Sequence, residues 1–258
     1  MPSFHDGNLL WLDEPPMSPD QSPAAMPGGQ RTAEDWLRCC AAELADLPVQ
    51  QYMIRWETQD AGEAEVWAHS GQLAGDIEYG CNTVLTLEHP PDQPPVPPGY
   101  CIRPVQSDAE WAALPALAMI ANQVHSPEHA RFILWQRAQH RDTMAEVGGH
   151  WWGVFQHDVL VASLGLLRPP LGLRFQEVET HPDHRRRGLC RALCSHALVA
   201  EMMPGNGNGN GNGGDAPDLC RAVIVAETGS QAERIYRRVG FAGVGLQHCL
   251  SQPVHSRE

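Results

Sequence analysis

Residues 173–203, LRFQEVETHPDHRRRGLCRALCSHALVAEMM, carry more information about the fold than any other part of the chain. The first eight predict a strand, and a His-Pro turn separates them from a helix expected over about 187–203. Three consecutive arginines and Gly188 lie where that helix begins. A helix N-terminus offers unpaired backbone N–H groups and a partial positive charge, and glycine lets an anion approach the backbone closely. The stretch therefore predicts a phosphate-binding turn between a strand and a helix.

Alternation along the predicted strand assigns its side chains to two faces. One face would carry Phe175, Glu177 and Glu179, and the other Gln176, Val178 and Thr180. The two carboxylates would then share a face with an aromatic ring.

The flanking sequence predicts a mixed α/β domain over residues 100–252. Before residues 173–203 we expect a strand at 100–105 and a helix that begins at Ser107 and is kinked or broken by Pro115. We then expect a long helix from Ser126 to about Val147, followed by a hairpin of strands at 151–155 and 159–167. After residues 173–203 we expect a strand at 222–226, a helix at 230–239 and a weak strand at 244–250. This order is typical of a sheet flanked by helices.

Proline-rich and glycine-rich stretches divide the chain. The stretch PPDQPPVPPG at 90–99 predicts a semi-rigid linker, which separates a smaller N-terminal α/β segment, 1–89, from the larger domain. Within 1–89 we expect strands near 9–12, 51–56 and 81–87 and helices near 32–45 and 63–70. A short sequence match links the end of this segment to the end of the chain. The segment could therefore be a degenerate half-repeat, and this alternative stays open. The Gly/Asn repeat at 204–218 has nothing to bury and predicts a disordered loop.

Composition excludes several classes of function. The chain has 258 residues, with 18 Lys and Arg against 31 Asp and Glu, so its formal net charge is −13. Such a surface repels phosphate backbones and anionic lipids, so we expect neither a nucleic-acid partner nor a membrane partner. The eight cysteines include no C-x2-C pair, which argues against a metal site. Because no secretory signal or long apolar run is visible either, we expect a cytoplasmic protein.

The turn at 185–190 resembles the acetyl-coenzyme A signature of the GNAT N-acetyltransferase superfamily. That signature, Arg/Gln-x-x-Gly-x-Gly/Ala after a strand and a turn, corresponds here to Arg185-Arg186-Arg187-Gly188-Leu189-Cys190. Cys190 stands where the family usually has Gly or Ala, and it is small enough to leave phosphate access intact. The resemblance covers about residues 100–252.

A second block supports the same resemblance. Ala226, Ala232, Tyr236 and Gly240-Phe241 are similar to the family pattern A-x(n)-A-x3-Y-x3-G-F. Gly229 replaces an asparagine that the family often has seven residues before the tyrosine, which puts one cofactor contact in doubt.

The resemblance implies a mixed, mostly antiparallel sheet and an enzyme that uses acetyl-CoA as cosubstrate. The backbone of Val178, Glu179 and Thr180 would hold the pantetheine arm, and the loop residues Arg185, Arg186, Arg187, Gly188, Leu189 and Cys190 would hold the pyrophosphate. Direct attack by an amine needs a base and an acid. Glu177 and Glu179 are the candidate bases, with Glu179 nearer the thioester, and Tyr236 is the candidate acid. The acceptor would be a small-molecule or peptide amine, and the chain a monomer or homodimer.

Other readings of the same residues stay open. Tyr236 could serve only to pack the last helix, and the two glutamates could simply be solvated. A chain that kept the turn but lost the acid would be a non-catalytic acyl-CoA sensor or interaction module, and an anion-binding turn alone would also suit another nucleotide. The sequence identifies neither the acceptor nor the role of residues 1–89, and it does not say whether longer acyl groups are used.

Overall fold

The computed structural model describes residues 9–17, 31–46, 49, 51–59, 62, 66–67, 76–202 and 221–254. In chain order the elements are β1 (Leu9–Trp11), α1 (Ala33–Glu43), β2 (Gln51–Thr58), β3 (Glu78–Leu87), β4 (Cys101–Pro104), α2 (Asp108–Ala121), α3 (Pro127–Val147), β5 (Gly149–Gln156), β6 (Val159–Leu167), β7 (Leu173–Thr180), α4 (Leu189–Met202), β8 (Ala222–Glu227), α5 (Gln231–Val239) and β9 (Ala242–Pro253). The Gly/Asn repeat at 204–218 and most of the helix expected at 63–70 lie outside the described residues.

The nine described strands form one sheet in the order β1-β2-β9-β3-β8-β7-β6-β5-β4. Neighbouring strands are antiparallel except for the pairs β1–β2 and β7–β8, which are parallel. Helices cover both faces of this sheet. The predicted α/β class, with a mixed and mostly antiparallel sheet flanked by helices, is confirmed.

The strands of segment 1–89 belong to the same sheet as those of the larger predicted domain. Strand β3 lies between β8 and β9, and β2 pairs with the other edge of β9. The expected linker at 90–99 therefore joins two parts of one sheet, and it also contacts α4, where His196 Nε2 donates to the Pro94 carbonyl at 2.9 Å. A division of the chain into two folding units at this point, and a half-repeat within 1–89, stay predictions.

Helices α2 and α3 begin where the sequence predicts. The Ser107 hydroxyl accepts a hydrogen bond from the backbone N–H of Glu110, and the Glu110 carboxylate accepts one from the backbone N–H of Ser107. Ser126 caps α3, which has Pro127 at its first position. Pro115, expected to kink or break α2, does not end it, because the helix continues to Ala121. Proline removes one backbone hydrogen bond there. The complete burial of the adjacent Leu114 stabilises the helix against that loss.

Two cores lie on opposite faces of the central sheet. Leu193 of α4 and Val239 of α5 belong to the main core, together with the inward side chains of β6, β7 and β8. Leu117 of α2 packs with Trp151 and Phe155 of β5 on the other face, where α3 runs beside α2. Site residues can thus be assigned to the α4–α5 face or to the α2–α3 face. None of the described helices is long and apolar enough to cross a membrane.

Candidate active site

Strand β7 is interrupted by a β-bulge. Glu177 has a φ of 48°, and the pairing of β7 with β6 shifts register between Ser163 and Gly165. An extra residue in one strand bends that strand and increases its twist. On its other edge β7 pairs with β8 only through its first two residues, Leu173 and Arg174. The two parallel strands therefore separate beyond that point.

The bulge overturns the alternation expected from the sequence. Val178 packs with Phe175 against the α4–α5 core, whereas Glu177 and Glu179 both contact α3 on the opposite face. The prediction that Phe175 shares a face with the two glutamates is wrong. An inserted residue shifts the alternation by one position, so the side chains that follow it lie on the face opposite to the one that simple alternation predicts.

A cavity of about 170 Å³ lies where β7 and β8 separate. Four of its lining residues belong to the α4–α5 side: Phe175, Val178, Ile224 and Tyr236. The other four are Arg174, Glu177, Val223 and Val225. Because the two strands separate here, residues from both faces of the sheet line the cavity.

The turn after β7 has the backbone of an anion-binding loop. Arg186 and Gly188 are both left-handed, with φ of 64° and 78°, and α4 begins at Leu189, two residues later than predicted. Left-handed residues in a short loop before a helix turn backbone N–H groups toward a common point. A Cβ at Gly188 would meet no atom within 4 Å, so the space in front of the loop is open. The backbone of this loop fits a phosphorylated ligand, and the cofactor role of residues 185–190 stays a prediction.

Two of the three arginine side chains hold the loop in shape. Arg185 donates to the backbone carbonyls of Thr180 at 3.1 Å and of Ala121 at 2.7 Å, which ties the loop to β7 and to the end of α2. Arg187 donates to the Tyr100 hydroxyl at 3.0 Å. The cationic groups therefore add positive charge around the loop while their hydrogen bonds go to the protein. Backbone N–H groups remain as the donors for a phosphate.

Cys190 lies in the first turn of α4, half-buried against the main core. A hydrogen bond with Cys194 lowers the pKa of the Cys190 thiol, although burial opposes this change. The side chain packs inward, which agrees with the expectation that a small residue here leaves phosphate access intact.

Glu179 is buried, so the reading of it as a solvated strand carboxylate does not hold. Glu179 is 7% exposed, and its Oε1 accepts hydrogen bonds from Arg137 Nη2 at 2.7 Å and from Asn122 Nδ2 at 3.1 Å. Burial raises the pKa of Glu179 to about 7, although the charge of Arg137 opposes the rise. A carboxyl group with this pKa exchanges a proton readily near neutral pH, which is the property that a general base needs.

Glu177 is held differently on the same face. Its Oε1 accepts from Gln136 Nε2 at 3.1 Å, and Arg137 Nη1 lies 3.6 Å from its Oε2. His140 Nε2 lies 3.8 Å from Oε1. Burial raises the pKa of Glu177, but its interactions with the nearby His140 and Arg137 outweigh burial, so that the pKa falls below its ordinary value. Two neighbouring carboxylates with oppositely shifted pKa values are typical of divided roles in proton transfer.

The partners of these carboxylates were missed from the sequence. Asn122 follows α2, and Gln136, Arg137 and His140 lie on α3. One signal was available for Arg137, which follows the buried Ile133 by four residues and so lies on the inward stripe of its helix. An arginine on such a stripe needs a buried anion, and only the fold shows that the anions come from β7.

Tyr236 lies on the inward side of α5 and lines the cavity. It is 5% exposed, and burial raises the pKa of its hydroxyl far above the ordinary value. Its ring packs edge-on against Phe241, with centroids 6.4 Å apart. A phenol in this position stays protonated at neutral pH and can donate a proton into the cavity. Packing and a catalytic role are thus compatible.

Strand β3 holds the turn that carries α5. The hydroxyls of Thr83 and Thr228 lie 3.0 Å apart, and the backbone N–H of Thr228 donates to the Cys81 carbonyl at 3.0 Å. The N–H of Gly229, the residue in place of the family's frequent asparagine, donates to Glu233 at 2.6 Å. The N-terminal segment therefore supports the part of the sheet that carries α5. Within the described ranges, no group of three or more His, Cys, Asp or Glu side chains is arranged to hold a metal ion.

Comparison with known proteins places this geometry in a fold family. No family model and no curated protein matches the chain. Among solved structures, a GCN5-related N-acetyltransferase from Kribbella flavida is 18% identical with a TM-score of 0.54, over 85% of this chain and 75% of that one. One from Sphaerobacter thermophilus is 15% identical with a TM-score of 0.58, over 86% and 66%. A tandem GNAT protein from the clavulanic acid biosynthesis pathway is 14% identical with a TM-score of 0.57, over 87% and 70%.

At these identities the likeness is one of architecture, and it agrees with the resemblance drawn from the two sequence blocks. The chain therefore has the fold of the GCN5-related N-acetyltransferases.

Proposed function

We propose that this protein transfers an acetyl group from acetyl-CoA to a primary amine by direct attack. The observation that carries the proposal is the cavity between β7 and β8, which combines the buried Tyr236 on one side with Glu177 on the other. The buried Glu179 lies two residues beyond Glu177 and is bound by the same arginine, Arg137. The left-handed loop at 186–188 lies at the end of the same strand. A phosphorylated ligand held at the loop would thus extend toward groups that can move protons.

The residues of the loop and of the bulge would hold the cosubstrate. Backbone N–H groups from Arg185 to Cys190 suit the pyrophosphate, and the unpaired edge of β7 at Val178 and Thr180 suits the pantetheine arm. Bound acetyl-CoA would supply an activated thioester carbonyl. A backbone N–H near Val178 would polarise that carbonyl, as oxyanion donors do.

Glu179 is our choice for the base. Its pKa is raised to about 7, whereas that of Glu177 is lowered, so only Glu179 combines substantial ionisation at neutral pH with useful basicity. Glu179 would accept the proton of the attacking amine, and Arg137 would stabilise the ionised carboxylate that receives it. Tyr236 would return a proton to the departing sulfur.

The acceptor, the compartment and the oligomeric state remain proposals. We propose a small-molecule or peptide amine as the acceptor, and a monomer or homodimer as the assembly. The cysteines within the described residues are free, which suits the reducing cytoplasm.

The test combines calorimetry with a turnover assay. We expect acetyl-CoA to bind and the thiol of coenzyme A to be released when a panel of primary amines is added. Binding without turnover of any amine would instead support an acyl-CoA sensor. Absence of acetyl-CoA binding at millimolar concentration would contradict both readings, and competition by ATP but not by coenzyme A would favour a different nucleotide.

A further inference from the structure

Arg174 places a positive charge on the α2–α3 side of the cavity. Its chain neighbours Leu173 and Phe175 are buried in the main core, so the Arg174 side chain projects from the opposite face, where it is exposed. It is one of the residues that line the cavity. An arginine at this position therefore meets whatever enters the cavity from the side away from α4 and α5.

This charge has no counter-ion in the described part of the chain, where Arg174 makes no side-chain hydrogen bond or ion pair. The other charged residue of the cavity wall, Glu177, is already bound by Gln136 and lies within 3.6 Å of Arg137. In a chain of net charge −13, an unpaired arginine in a cavity is a local exception. It offers a binding partner for an anion.

The phosphates of the cosubstrate do not reach this arginine. Arg174 lies at the start of β7, and the phosphate-binding loop follows the other end of that strand. Six residues separate Arg174 from Thr180, which corresponds to about 20 Å of extended strand. The anion that Arg174 binds therefore belongs to the acceptor.

The wall that β8 contributes on this side of the cavity is apolar. Val223 and Val225 of β8 are half-buried and face the same side as Arg174. Glu179 lies five residues from Arg174, about 15 Å along the strand. An acceptor whose amine lies near the bulge and whose anionic group lies at Arg174 would carry the two groups at opposite ends of an apolar chain several atoms long.

We propose that the acceptor is an amine that carries a distant anionic group, such as a carboxylate, and that Arg174 binds that group. The proposal deepens the proposed function and rests on it. Arg174 would act in substrate selection and would take no part in proton transfer.

The experiment compares 6-aminohexanoate with hexylamine, two primary amines of the same chain length that differ in the carboxylate. Release of coenzyme A thiol gives kcat/KM for each. We expect the wild-type protein to prefer 6-aminohexanoate by about tenfold or more, which is the lower range for a charge-assisted pair at an exposed site. In Arg174→Gln the preference should vanish through KM, while the KM for acetyl-CoA and the turnover of hexylamine stay unchanged.

Two further variants separate selection from structure. Arg174→Lys keeps the charge and should restore part of the preference. Arg221→Gln removes another arginine, at the start of β8 and paired with Glu88, and should leave the preference as in the wild type. Equal kcat/KM for both amines in the wild-type protein, or a parallel loss with both amines in Arg174→Gln, would overturn the inference.

The failure of the inference can be told apart from that of the proposed function. If hexylamine or another simple amine is acetylated without any effect of the carboxylate, only the inference fails. If neither probe is acetylated the inference also fails, and calorimetry with acetyl-CoA then decides whether the proposed function fails with it.

Discussion

Replacing Glu179 with glutamine should remove a large pH dependence from the stability of the protein. The wild-type side chain is 7% exposed and has a pKa of about 7 in the folded state, against 4.5 for an ordinary glutamate. The folded protein thus keeps a proton that the unfolded chain releases. Stability from this group is fully present below the unfolded pKa and is lost as the pH rises through about 7.

The size of the effect follows from the two pKa values. Linkage between a pKa of 4.5 unfolded and about 7 folded predicts that the free energy of unfolding falls by about 2 to 3 kcal/mol between roughly pH 5 and pH 8 because of this residue. Glutamine cannot titrate, so Glu179→Gln should lack this fall. It also resembles the protonated glutamate in shape and can still accept from Arg137, so the fold should be retained.

The measurement is urea unfolding of both proteins at half-unit steps from about pH 5 to pH 8. Other titrating groups contribute equally to the two proteins, so the difference between the two curves isolates Glu179. We expect the variant to gain about 2 to 3 kcal/mol relative to the wild type across this range. Parallel curves would refute the reasoning, because they would show that Glu179 titrates alike in the folded and unfolded states.

Three further predictions concern other parts of the site and fold. Tyr236→Phe should bind acetyl-CoA with unchanged affinity in calorimetry but lose about 100-fold or more in thiol release, and full turnover would leave Tyr236 with packing alone. Arg186→Gly should raise the thermal midpoint, because glycine relieves the left-handed φ of 64°, a change worth about 1 kcal/mol; a lower midpoint would contradict the strain. The hydrogen bond between His150 Nδ1 and Glu201 Oε1, at 2.5 Å, raises the pKa of His150, so NMR should find this pKa above its ordinary value of 6.5. The stability that the pair contributes is present below pH 6.5 and is lost as the pH rises through the raised pKa of His150. The titration should move down in Glu201→Gln, and an unmoved titration would assign it another cause.

The order of elements after residue 100 was predictable because its signals are local. Capping residues such as Ser107 and Ser126 lie beside the helices that they begin, and Gly188 lies within the turn that it shapes. The same holds for Tyr236, whose spacing from Gly240 places it on the inward side of a short helix. Features that depend on a few neighbouring residues can be read without knowing the fold.

The bulge in β7 could not be read in this way. Alternation along a strand assumes one residue for one partner, and the shift at Glu177 arises from pairing with β6. Its consequence is large, because it places both glutamates against α3. The pKa of Glu179 then depends on Arg137, which is 42 residues away in sequence.

The sequence by itself determined the α/β class, the strand-turn-helix around Gly188 and the inward tyrosine, because each rests on periodicity or on contacts within a few residues. Only the tertiary structure decided which glutamate is buried with an arginine, where Arg174 projects, and how residues 1–89 take part. Strand β3 completes the sheet between β8 and β9, a contact between segments more than a hundred residues apart. Desolvation and long-range strand pairing are properties of the packed chain, so no local pattern records them.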